Sequence, residues 1–96
     1  MKNREIALSA YKQMTDGKDV FDLRKLPQEA NILAHMLARG PITPLEALNY
    51  YGCMRLGARI YDLEHKYPIR IKHEMIGNGK KTYMQYSLEE DDDAEP

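Results

Sequence analysis

Two helix signals joined by a single tight turn, between Thr43 and Pro68, constrain this chain more than any other feature. Thr43-Pro44-Leu45-Glu46 has the form of a capping box. In such a box the Thr hydroxyl accepts the N–H of the Glu, and the Glu carboxylate reaches back to the Thr N–H. Pro44 suits the first helical position, where a missing N–H costs nothing. The pattern predicts a short helix over 44–50, closed by Tyr51-Gly52. Leu56, Ile60 and Leu63 then recur at i, i+4, i+7, which predicts a second helix over 53–66. Pro68 ends it, because the residue before a proline is pushed toward extended geometry. Two helices joined by a short glycine-containing turn form a helix-turn-helix.

The flanks extend this unit in both directions. Pro27 opens a helix in which Ala30, Leu33, Ala34 and Leu37 repeat at helical spacing, widened by Ile32 and Met36, and Gly40-Pro41 stops it. This helix is read as 27–39. Asn3 to Met14 forms a possible extra amphipathic helix with Ile6, Tyr11 and Met14 on one side, broken by Asp16-Gly17. Residues 18–26 have no clear period. Val20, Phe21, Leu23 and Leu26 are expected to tuck against the core, the alternative being contact with a partner chain. After Pro68 the period becomes two: Ile69, Ile71 and His73 alternate with Arg70, Lys72 and Glu74. Asn78-Gly79 signals a tight turn, and a second strand covers 81–88. The fold class is therefore mainly α with a β-hairpin wing (α+β). It is a winged helix-turn-helix of three helices and a two-stranded hairpin over 26–88, with an N-terminal extension over 1–25.

The formal net charge of the 96 residues is −1, and its distribution matters more than its sum. Residues 27–88 carry eight basic and five acidic side chains, whereas 89–96 carry six acids and no base. The tail is read as disordered for that reason. No apolar run approaches a membrane span or a signal peptide, and the lone Cys53 has no internal partner. A cytoplasmic protein with no membrane contact is expected. His35, His65 and His73 lack metal-ligand spacing, and no nucleophile–base–acid set stands out, so neither a metal, another cofactor nor an enzyme is expected.

A helix in the major groove reads bases from the face opposite its core stripe. Arg55, Arg59, Asp62 and Lys66 share a face by spacing, with Met54 just ahead of them. Arg55 and Arg59 are candidate base readers, and the alternative is a solvated face with an Arg59–Asp62 ion pair. Thr43 would place a helix N-terminus against a phosphate. Asn78, Lys80 and Lys81 at the hairpin tip, with Lys66 and Lys72, would add sequence-independent backbone contacts. Tyr50, Tyr51, Tyr61 and Tyr67 are expected to pack at helix ends, and Cys53 to be a small buried residue.

The runs Ile42-Thr43-Pro44-Leu45-Glu46-Ala47-Leu48 and Tyr51-Gly52, followed by Arg55-Leu56-Gly57-Ala58-Arg59-Ile60-Tyr61-Asp62-Leu63, resemble a family of small winged helix-turn-helix proteins of bacteriophages and prophages. The resemblance covers about residues 28–88. It departs from the family pattern at Lys66-Tyr67, where many members carry an intervening glycine. It implies a duplex-DNA-binding protein, as a transcriptional regulator in a bacterial host cell. Two-fold DNA sites would further imply a homodimer. The other reading it leaves open is a protein-interaction module that binds a host protein on the same scaffold.

Overall fold

The computed structural model describes residues 2–91. Four α-helices precede an antiparallel hairpin: α1 (Asn3–Thr15), α2 (Gln28–Ala38), α3 (Pro44–Tyr51), α4 (Leu56–Lys66), β1 (Ile71–Asn78) and β2 (Lys81–Leu88). The expected α+β architecture is present, with the N-terminal helix as a full member of it. Its Ala7 and Ala10 are fully buried beside Ile32, Leu33 and Met36 of α2. Leu56, Ile60 and Leu63 of α4 join the same cluster, and Ala47 seats the short α3 on it. Burying a side chain of leucine size contributes roughly 1.5–3 kcal/mol, so this shared core carries most of the fold.

The capping box forms as its residues dictate. Thr43 Oγ1 accepts the N–H of Glu46 at 3.3 Å, and Glu46 Oε1 accepts the Thr43 N–H at 3.0 Å. At the other end of α3, Gly52 takes the left-handed φ of 65°. That lets the Cys53 N–H turn back to the Ala47 carbonyl at 3.1 Å. The turn is longer than the apolar spacing implied. Cys53 and Met54 lie outside α4 and Arg55 is its N-cap, so the helix starts at Leu56 rather than at 53. Cys53 is buried, as expected, but in the turn.

A one-residue third strand organises the sheet. Ile42 donates to the Tyr86 carbonyl at 2.8 Å and accepts the Tyr86 N–H at 2.9 Å. The order across the sheet is therefore Ile42, β2, β1, with β1 at the open edge. This bridge also decides the hairpin turn. Sequence favours Asn78-Gly79 at its centre, but Asn78 pairs with Lys81 and Gly79-Lys80 form the turn. A two-residue turn at 78–79 would aim the backbone groups of Tyr86 at β1, and Ile42 would lose both bonds. Gly79 has a φ of 59° and Lys80 a negative one, the sign pattern of a type II′ turn.

Between α1 and α2 the chain makes a short 3-10 turn at Leu23–Lys25. Of the four apolar residues expected to tuck inward here, only Leu26 is buried; Val20 and Leu23 are exposed, and Phe21 is 94% exposed. Asp19 and Asp22 hold this segment locally by accepting the Phe21 and Arg24 N–H groups, which leaves its apolar side chains outside.

The root of the hairpin is closed by a residue that sequence reasoning passed over. Asn3 is fully buried. Its amide donates to the carbonyls of Arg70 (2.9 Å) and Glu89 (2.8 Å), and its Oδ1 accepts the Arg70 N–H at 2.8 Å. Its own N–H donates to Asp91 Oδ2, and the Arg70 guanidinium pairs with the same carboxylate. Residues 89–91 of the acidic tail are thus held at the start of α1. The expectation of disorder for 92–96 falls outside the described residues.

Candidate nucleic-acid interface

The α4 helix presents two stripes outside its core face, and they face different things. The stripe of Arg59, Asp62 and Lys66 turns toward α2. Arg59 pairs with Asp62 at 3.4 Å and with Glu29 at 3.9 Å, and Lys66 reaches the same Glu29 carboxylate at 3.5 Å. The Glu29 side chain is only 14% exposed, so the two cations form a seam between helices. Arg59 therefore makes the Asp62 ion pair of the alternative reading and adds one to Glu29, with a third of its side chain exposed.

The stripe that faces solvent is Ala58, Tyr61 and His65, with Met54 exposed in the turn ahead of the helix. Met54 is 84% exposed and Tyr61 59%. The rings of Tyr61 and His65 stack with centroids 3.7 Å apart, and the His65 ring bonds the Tyr61 carbonyl through Nδ1 at 2.9 Å. Arg55 lies at the head of this stripe, exposed, and its side chain has no partner among the described residues. Tyr61 and His65 were absent from the sequence-derived candidates. A helical projection from Ile60 and Leu63 finds them, since they lie opposite the buried stripe.

The remaining candidates divide by position. Asn78, Lys80 and Lys81 share the exposed wing tip. Lys72 sits lower on β1, 3.8 Å from Glu74. Thr43 lies at the start of α3, where its hydroxyl and N–H are already committed to Glu46. That helix end carries its own carboxylate, which opposes an incoming phosphate. The wing is fixed to α4 by His73, whose Nε2 lies 2.9 Å from Glu64 Oε2 and whose ring edge meets Tyr86. Gly57 faces this packing, and a Cβ there would meet the Tyr86 hydroxyl at 3.6 Å, an ordinary van der Waals contact.

The tyrosines correct a further expectation. Tyr51 and Tyr67 pack against the core, but Tyr50 and Tyr61 are exposed. The Tyr51 hydroxyl is 2.7 Å from Nδ1 of the buried His35, and Arg39 lies over the Tyr50 ring. Burial pushes the Tyr51 hydroxyl pKa up, with Arg39 pulling against it and Tyr50 and Glu46 adding to it.

Among the described residues no group of three or more His, Cys, Asp or Glu side chains could hold a metal ion, and no helix is long and apolar enough to cross a membrane. Residues 27–91 match the family described as winged helix-turn-helix domain. No curated protein and no solved structure matches the chain.

Proposed function

The chain belongs to the winged helix-turn-helix domain family, and from that premise we propose that it binds duplex DNA as a transcriptional regulator of the phage type. The family suggests DNA binding. The observation that supports a specific mode is the solvent-facing stripe of α4, headed by an Arg55 whose side chain has no partner among the described residues. In this reading α4 enters the major groove. Arg55 reads a base edge, Tyr61 and His65 contact the groove wall, and Lys80 and Lys81 lie on the adjacent backbone. Arg59 and Lys66 hold the reading helix on α2 through Glu29.

The test is a salt series of duplex-binding measurements on the wild type and three variants. Arg55→Ala with Tyr61→Ala should weaken binding at every salt concentration. Lys80→Ala with Lys81→Ala should flatten the salt slope by about 0.9 for each phosphate that a lysine no longer neutralises. Arg59→Ala should lower stability by about 0.5–1 kcal/mol while changing affinity less than Arg55→Ala does. Binding that ignores salt, or that survives Arg55→Ala with Tyr61→Ala, would sink this mode.

A second reading, a module that binds a host protein, draws on α3, where Leu45 and Leu48 are 66% and 46% exposed. Absence of duplex binding even at low salt would favour it over the first.

A further inference from the structure

The edge of the wing carries a pattern that fits one partner. Tyr86 spends both backbone groups on Ile42, so its pairing with His73 across the hairpin is of the non-hydrogen-bonded kind. The N–H and C=O of His73 therefore point away from β2. Direction alternates along a strand, so Ile71 and Met75 also turn their backbone groups outward, while Lys72 and Glu74 turn theirs to β2. Among the described residues no hydrogen bond reaches the outward groups of Ile71, His73 or Met75. Met75 is 62% exposed beside them.

We infer that β1 is a self-association edge, and that two copies of this chain pair antiparallel through it about a two-fold axis at His73. In that register His73 exchanges both backbone bonds with the partner's His73. Ile71 does the same with the partner's Met75, and Met75 with the partner's Ile71. Every outward group finds a complement. Lys72 then falls directly opposite the partner's Glu74, and Glu74 opposite the partner's Lys72, at pairs where side chains approach most closely. Ile71 and the partner's Met75 meet on the other face.

Charge selects this register. Centring the axis on Ile71 would set Lys72 against the partner's Arg70, and centring it on Met75 would leave Lys72 and Glu74 opposite uncharged residues. Charged residues on an edge strand ordinarily deter pairing. A lysine and a glutamate two residues apart deter most strands but complement an antiparallel copy of themselves. The surface is independent of the stripe on α4, so its failure would leave the DNA reading intact.

Sedimentation of the full chain, free of nucleic acid, tests this across a concentration series. The wild type should dimerise. Lys72→Glu alone, or Glu74→Lys alone, sets like charges opposite each other twice and should raise the dimer dissociation constant about tenfold or more. The double swap Lys72→Glu with Glu74→Lys should restore it. Met75→Pro should be monomeric with its hairpin intact, because the N–H it removes does not bond β2. Amide exchange provides a second readout: Ile71, His73 and Met75 should become protected only as dimer forms, and Lys72 and Glu74 should be protected throughout. A chain that stays monomeric up to about 1 mM overturns the proposal. So does a double swap as weak as the single variants, or a Met75→Pro that dimerises like the wild type.

Discussion

The hydroxyl of the partly buried Tyr51 on α3 meets the ring of the buried His35 on α2 at 2.7 Å. Burial raises the Tyr51 pKa above its ordinary 10.0. The folded state therefore holds that proton more tightly than the unfolded chain does. The stability this contributes is fully present below pH 10 and is lost as pH rises through the folded value. Unfolding by urea should become easier above pH 10, and Tyr51→Phe should show a shallower alkaline fall than the wild type. At the same scale, Arg59 shows why a charge pattern alone misleads. A base-reading arginine and a bracing arginine have the same spacing in sequence. What separates them is Glu29, thirty residues earlier and on another helix, and no local pattern announces which face of α4 it will meet.

Helix α3 was legible to its cap because its signals are local: a Thr, a Pro and a Glu in one turn, and a Gly at the end. The start of α4 was not, because Cys53 is buried in a turn as deeply as if it lay on the helix face. The hairpin was legible as a hairpin but not in its exact turn, since Gly77-Asn78-Gly79 offers more than one place for a tight reversal. The choice comes from Ile42, a residue distant in sequence, through its bonds to Tyr86. Gly77 is the element's most demanding position. It has a φ of 109°, and a Cβ there would lie 2.2 Å from the Lys81 carbonyl oxygen. Gly77→Ala should loosen the wing by more than about 1 kcal/mol. Amide exchange should show faster opening in β1 and β2, with the helical signal at neutral pH little changed.

On the scale of the whole molecule, the core reading of α2 and α4 from apolar period holds, and the helix-turn-helix with its wing follows from it. The closure of the structure does not follow from any period. Asn3 is a polar residue near the start of a mildly amphipathic helix, and nothing nearby marks it as buried. Its partners are Arg70 and Glu89, 67 and 86 residues away. Asn3→Ala would leave the Arg70 N–H and two carbonyls without these partners at the hairpin root. It should lower stability by about 3 kcal/mol, read as a shift in the urea midpoint without a change in helix content at rest.

That clasp has a bearing on how the molecule is made. Synthesis makes α1 before α2, α3, α4 and the wing, yet the Glu89 and Asp91 groups that complete the clasp on its leading end are made only after the wing. Until then α1 can rest on α2 through Ala7 and Ala10, with Arg4 donating to the Leu37 carbonyl at 2.7 Å, but Asn3 lacks its partners at 89 and 91. The leading end of α1 is made before the wing but fully clasped only after it. The nascent chain therefore passes through a stage with its helices in place and the clasp at Asn3 incomplete, and the arrival of residues 89–91 ends it.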